Sequence, residues 1–323
     1  MKLPEFQTLL EKDIFFDCVK INTRADFDKY YLTLTQIDGV IYRGVNEAKF
    51  HIYTSAQRAW ITDSLSYHTT FRDFISSLLD KLKSDQTIID YLRSTGVAYN
   101  DVLGLAMLQH FGAPSTLIDF SLDLKSALFF AFDGMKRGCT DNEIDDYVSL
   151  YVVENNKLKY SYLPNLTDVL AHGMDSGVKM LEEHFNQMPQ DNIDDSLLRD
   201  LDKFACWHNP RNPGGGLSEF SVPTYIGNPL YEKSFSTYGS NQKFYWSNIN
   251  LIAQKGCFIL NNHESQPLEE YMASKNYKIK CYNIHKSLAE YIKSVIRLGK
   301  EDIYPDLSKR IPAIYTDFLR TKI

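Results

Sequence analysis

Residues 107–132, MLQHFGAPSTLIDFSLDLKSALFFAF, set four polar side chains, Gln109, His110, Asp119 and Ser121, against an apolar background. Asp119 is the sharpest of them, placed between Leu117-Ile118 and Phe120 in a stretch that reads as an apolar strand. A carboxylate in such a place is expensive unless it is paired or used. The strand is therefore expected to hold Asp119 largely buried, accepting hydrogen bonds from a cation or from amides near Asp123 at the start of the next helix. The end of a strand just before a helix is also where sites of α/β type expose polar groups and where a helix N-terminus attracts anions. Two more polar residues stand in apolar settings, Arg43 in GVIYRG and Gln254 in NLIAQKGCF. The six are expected to converge on one cleft. There a guanidinium and a carboxylate would either orient each other or hold the anionic and hydroxyl groups of a ligand. His110 with Asp119 also permits a hydrolase or nuclease reading.

Each residue has a structural alternative. Arg43 and Asp119 can form a buried ion pair with no catalytic role. His110 can complete its helix by bonding the last carbonyls, and Ser121 can cap the helix that follows. Tyr42 and Phe120 can be core aromatics. Gln254 beside Gly256 can form a β-bulge.

The elements that must position these groups are mixed. FDKYYLTLTQ leads into GVIYRG, a short strand stopped by Gly44. Helical periodicity runs from about 55 to 95 in three pieces, SAQRAWITDSL, RDFISSLLDKL and TIIDYLRSTG, the last closed by Gly96. DVLGLAMLQHFG is a further helix opened by Asp101, STLIDF a strand, and LDLKSALFFAFDGMKRG a helix with Leu124, Ala127, Leu128 and Ala131 on one face. CTDNEIDD reads as an acidic loop and YVSLYVVE as an alternating strand. Between about 155 and 245, segments such as NPRNPGGGLSEFSVP punctuate helical stretches, which reads as a large irregular and helical insertion. NINLIAQKGCFILN reads as a strand with Gly256 inside it, and 283–323 as a C-terminal helical segment. The pattern predicts an α+β fold of one domain, 1–323, with a central twisted mixed sheet flanked by helices.

At 323 residues, 44% hydrophobic and 13% aromatic, the chain can bury a sizeable core. Thirty-five Lys and Arg against 41 Asp and Glu give −6, with no basic block of the kind that binds nucleic-acid backbones. Five scattered cysteines without CxxC spacing suit free thiols in a reducing compartment. The longest apolar run, ALFFAF, is too short to cross a bilayer, so the expected location is the cytoplasm, without membrane association. Phosphate loops, dinucleotide fingerprints and HExxH helices are absent, and no histidine pair has ligand spacing. No metal is expected.

IYRG, QHFGAPSTLIDFSLDLKSALFFAF and NINLIAQKGCF, in that order and spacing, resemble the bacterial FRG domain family, named for its Phe/Tyr-Arg-Gly triplet, here Tyr42-Arg43-Gly44. The resemblance spans roughly 30–140 and 245–310, including the tail GKEDIYPDLSKR. The triplet is also similar to the first motif of arginine-specific ADP-ribosyltransferases. That likeness implies that Arg43 grips the NAD diphosphate and that Asp119-Phe120-Ser121 shapes the nicotinamide pocket. Gln254 then stands where a ribose-holding glutamate is expected. Tyr42, Gly44 and Gln109 join the nucleotide-binding set; Asp119, Gln254 and His110 are the catalytic candidates. Glutamine can bond a hydroxyl but brings no full negative charge to an oxocarbenium-like centre, so Asp119 would have to supply the carboxylate. The implied substrate is NAD and the implied acceptor an unknown protein or nucleic acid, in a toxin or phage-defence setting. The alternative is a non-catalytic module that senses a nucleotide-like ligand or a partner with the same cleft.

Overall fold

The computed structural model describes residues 2–95, 99, 101–136, 142–154, 249–306 and 308, and the backbone of 224–226, 234–237 and 240–243. A single helical turn, α1 (Leu9–Lys12), precedes strand β1 (Phe16–Ile21), helix α2 (Arg24–Leu34) and strand β2 (Val40–Val45). Four helices follow: α3 (Ser55–Thr62), α4 (Phe71–Ser84), α5 (Gln86–Thr95) and α6 (Asp101–His110). Strand β3 (Leu117–Ser121) leads into α7 (Leu124–Phe132) and then β4 (Tyr147–Glu154). Strands β5 (Thr224–Ile226), β6 (Ser234–Thr237) and β7 (Ser240–Lys243) come next, then α8 (Ile249–Ala253), β8 (Gly256–Leu260) and α9 (Leu268–Ser274). The described chain closes with β9 (Ile279–His285), α10 (Ala289–Ile296) and α11 (Lys300–Ile303).

Helix starts follow local chemistry. The Thr23, Thr54 and Thr70 hydroxyls accept the amides of Asp26, Gln57 and Asp73 at the starts of α2, α3 and α4. Thr54 and Gln57 complete a reciprocal capping box, and the Gln57 amide also donates to the carbonyls of His263 and Gln266. That fastens the start of α3 to the segment between β8 and α9.

Seven strands form one mixed sheet in the order β1-β9-β4-β2-β3-β8-β5, with β1 and β9 parallel and the other neighbours antiparallel. This is the expected α+β architecture. The joint between β2 and β3 is narrow. β2 runs beside β4 from Val40 to Val45 and β3 beside β8 along its whole length, yet β2 and β3 share one registered pair, Tyr42 with Ser121. The sheet thus parts into two halves on either side of that pair.

Helices cover the halves separately. On β2, β4 and β9, residues Tyr42, Val148, Val152 and Ile284 pack beneath α2, α7 and α10 through Phe27, Leu128 and Ile292. On β3 and β8, Leu117, Phe258 and Leu260 pack beneath α3, α4 and α6 through Trp60, Ile75 and Leu105. The other face carries a third core shared by both halves, with Ile41, Ile118, Phe120, Tyr151 and Ile259. Between the two helical layers, at the parting of the sheet, the molecule is left open.

A charged residue sits in the shared core. Lys12 has no solvent exposure, and its ammonium donates to Ala48 O at 2.8 Å, Ser149 Oγ at 2.6 Å and Asn283 Oδ1 at 3.1 Å. These three bonds fix α1 to the segment after β2, to β4 and to β9. Lys12→Met keeps the apolar stem but leaves the three acceptors without their donor, and it is expected to destabilise the chain by about 2–4 kcal/mol. A urea titration reads this as a lower midpoint with unchanged slope; an unchanged midpoint would mean that the ammonium contributes nothing net.

Several local expectations are revised. β2 continues through Gly44 to Val45. The NINLIAQKGCFILN stretch is a short helix, α8, then β8, with Gly256 opening the strand rather than interrupting it. A Cβ on Gly256 would stand 2.3 Å from Leu251 Cδ1, so Leu251 of α8 packs directly over the start of β8. Helix α7 starts at Leu124, two residues later than expected, and ends at Phe132. Glu143–Asp146, expected as loop, is a 3-10 turn. Residues 283–285 finish β9 before the C-terminal helices begin. Gly96, most of 155–245 and the end of the C-terminal segment lie outside the described residues. No helix among the described residues is long and apolar enough to cross a membrane.

Candidate functional site

The opening at the parting of the sheet is a cleft of about 550 Å³. Its floor comes from β2 and β3, one wall from α3 and α6, another from α7, and an end from α8 and Tyr304. All nine residues singled out in the sequence, Tyr42, Arg43, Gly44, Gln109, His110, Asp119, Phe120, Ser121 and Gln254, line it. β2, β3 and the start of β8 are consecutive in the sheet, which is why stretches so far apart in sequence meet.

Arg43 spans the gap. Its Nη1 donates to the backbone carbonyl of Asp119 at 2.5 Å, standing in for ladder bonds that the parted strands lack. The expected ion pair through the Asp119 carboxylate is therefore replaced by a bond to its main chain. Arg43 Nε is buried and has no hydrogen-bond partner, which leaves a charged donor unsatisfied. Burial lowers the pKa of this guanidinium, and the Asp119 charge opposes that shift.

Asp119 corrects a firm expectation. Its side chain is exposed, although Leu117, Ile118, Phe120 and Ser121 around it are buried. Leu117 lies under the α3–α6 layer, but by Asp119 that layer has ended and the strand faces the cleft. The carboxylate is partnered nonetheless, by Gln109 Nε2 at 2.5 Å. Ser55 Oγ in turn donates to Gln109 Oε1 at 3.0 Å, which fixes the amide orientation and aims its NH₂ at Asp119. Gln109 is thus a positioning residue held from α3.

His110 ends α6 on the cleft wall; burial lowers its pKa from the usual 6.5, against the Asp119 charge, so the imidazole is neutral at pH 7. Ser121 does not cap α7. That role falls to Asp123, whose Oδ2 accepts the Ser126 amide at 2.8 Å. Ser121 Oγ donates to the Gln254 carbonyl at 2.6 Å and accepts the Asp123 amide at 2.9 Å, tying the end of β3 to α8. Gln254 uses its Nε2 on Ile303 O at 3.2 Å, and its side-chain oxygen accepts no hydrogen bond among the described residues. Tyr42 is packed under α2 and α7 with its hydroxyl on Leu34 O, and burial raises its pKa to about 12. Phe120 belongs to the shared core. Both rings contribute to the cleft mainly as floor.

Four further lining residues were not singled out in the sequence reading. Arg58 stands on α3 in SAQRAWITD, a lone cation in an ordinary amphipathic pattern. Phe50, Phe130 and Tyr304 add aromatic surface to the lining, and Phe130 and Tyr304 meet edge to face at 6.2 Å. The available hints were the family-like stretches, the central one containing Phe130 and the tail containing Tyr304.

Residues 38–138 match the FRG domain family, so the chain carries an FRG domain over that stretch, which contains Arg43, Arg58, Gln109, His110, Asp119 and Ser121. No curated protein and no solved structure matches the chain.

Proposed function

We propose that the cleft binds NAD and that the domain cleaves its nicotinamide–ribose bond, passing ADP-ribose to a protein or nucleic-acid acceptor in a toxin or phage-defence setting. The observation that carries this reading is the unsatisfied Arg43 donor at the bottom of a cleft whose walls also present Asp119 and exposed aromatic surface. A guanidinium with a free N–H edge suits a diphosphate. Aromatic faces such as Phe130 and Tyr304 suit a stacked base or nicotinamide ring, and the volume lies within the range of small-molecule sites. Residues resembling the arginine, serine and glutamate-position motifs of arginine-specific ADP-ribosyltransferases stand on or beside three consecutive strands. Asp119 is the carboxylate available to stabilise positive charge on the ribose as nicotinamide leaves.

Nicotinamide release from NAD tests the reaction. Wild type should release it, and Asp119→Asn should lower the rate about a hundredfold or more. The asparagine oxygen can still accept the Gln109 bond, and the side chain is exposed, so the melting temperature should hardly move. A rate unaffected by the substitution would remove Asp119 from the chemistry.

A second reading rests on Gln254. With glutamine in the glutamate position and its amide held by Ile303 O, the same cleft would sense a nucleotide-like ligand without cleaving it. Binding of NAD with no nicotinamide released by wild type would select this reading.

A further inference from the structure

We infer that Arg58 is the second arm of a two-arginine clamp, and that the cleft takes a ligand with two linked phosphates, one facing Arg43 and one facing Arg58. This rests on the reading of the cleft as a nucleotide site and names the second residue that would hold the diphosphate.

The charges of the cleft are unbalanced. Arg43 and Arg58 line it, and Asp119 is the one acidic residue among the described residues that do so. The chain as a whole is acidic, at −6, so a local excess of positive charge is not a reflection of composition. His110 adds no charge at neutral pH, since its pKa is lowered.

The guanidiniums are also underused. Among the described residues the Arg58 side chain makes no hydrogen bond and no ion pair. Arg43 spends Nη1 on a carbonyl, keeps a buried Nε without an acceptor, and has no carboxylate within ion-pair distance. Burial lowers the pKa of both guanidiniums, while the charge of Asp119 acts on both to raise it. Asp119 bonds Gln109 through Oδ2 and, among the described residues, forms no ion pair with either arginine. Two partly desolvated cations sharing one distracted carboxylate form a receptor for a dianion or trianion.

Arg58 is held in place for this. It lies one residue after Gln57, which clamps the first turn of α3 to His263 O and Gln266 O at 2.7 and 2.8 Å. On the same turn Ser55 bonds Gln109, which bonds Asp119. The helix that carries Arg58 is therefore registered against the strand whose carbonyl holds Arg43. A clamp built on such fixed elements favours a ligand whose two charges have a fixed separation, as a diphosphate has, over a single phosphate.

Calorimetric titrations of wild type and Arg58→Gln with ADP, AMP and ADP-ribose at one low salt concentration test the inference. Wild type should bind ADP and ADP-ribose at least about tenfold more tightly than AMP. Arg58→Gln should weaken both diphosphates by about ten- to a hundredfold, bring ADP close to AMP, and leave AMP affinity within about twofold, as charge-assisted bonds to a single phosphate imply. Arg58→Lys should recover part of the loss. The Arg58 side chain makes no hydrogen bond or ion pair among the described residues, so the melting temperatures serve as a control for folding. An equal loss for ADP and AMP, or no loss for either, would overturn the two-arm clamp, as would absence of ADP binding by wild type. Nicotinamide release is independent of these outcomes: ADP binding with the expected Arg58 dependence and no release from NAD keeps the clamp and removes only the transferase reaction.

Discussion

Gly44→Ala should strongly destabilise the domain. A Cβ at this position would stand 1.8 Å from the carbonyl oxygen of Ala127 and 2.6 Å from the amide nitrogen of Ala131. Both atoms belong to the backbone of α7, so no side chain can turn aside and the helix itself must lift from β2. Overpacking a core usually costs about 1–3 kcal/mol, but a displaced helix also opens the layer of Leu128, Ala131 and Phe132 against Tyr42 and Val152. The expected loss is on the order of 4 kcal/mol or more, and the melting temperature should drop on the order of 10 °C. Thermal denaturation followed by circular dichroism reads it, and an alanine variant within about 1 kcal/mol of wild type would mean that α7 does not lie on β2 as described. The glycine of the Tyr42-Arg43-Gly44 triplet thus has a packing role: it lets α7, which supplies Ala127 and Phe130 to the cleft, approach the strand that carries Arg43.

Arg43→Ala should abolish measurable nicotinamide release and weaken ADP-ribose binding by about a hundred- to ten-thousandfold, the loss expected for two charge-assisted hydrogen bonds. Arg43→Lys should be impaired nearly as badly. An ammonium is a compact point charge; it cannot at once hold the Asp119 carbonyl across the parted strands and present a second planar N–H edge to a phosphate. Because Arg43 also bridges β2 and β3, both variants should lose some stability, so binding must be measured well below their melting temperatures. Equal nicotinamide release by wild type and both variants would contradict a diphosphate clamp at this position.

The contrast between these two adjacent residues shows what sequence makes legible. The strands around Tyr42, Leu117–Ser121 and Tyr147–Glu154 announce themselves through β-branched and aromatic runs, and α6 through its start at Asp101 and its end before Gly112. Convergence of Arg43, Gln109, His110, Asp119, Ser121 and Gln254 on one cleft was readable from polar residues placed in apolar settings. The exposure of Asp119 was not. Apolar neighbours in sequence tell which strand a residue belongs to, but not where the helical layer above that strand stops. Ser121 was the expected cap of α7, yet α7 begins two residues later than expected, so the cap is Asp123 and Ser121 bonds the Asp123 amide instead. Helix α8, at five residues, is too short to display a helical period. Arg58 sits in a helix whose amphipathic pattern would be the same with a lysine or glutamine there; its meaning comes entirely from what α3 faces. The Arg43–Asp119 pairing was anticipated between side chains, whereas the parting of the sheet directs the guanidinium to the main chain.

The most direct measurement is a crystal structure of the chain grown with ADP-ribose at saturating concentration. The diphosphate should lie in the cleft at the parting of β2 and β3, with phosphate oxygens within hydrogen-bond distance of the Arg43 and Arg58 guanidiniums, and with the terminal ribose toward Asp119. Density for the ligand elsewhere on the molecule, or an empty cleft under those conditions, would contradict the assignment of this cleft as a nucleotide diphosphate site.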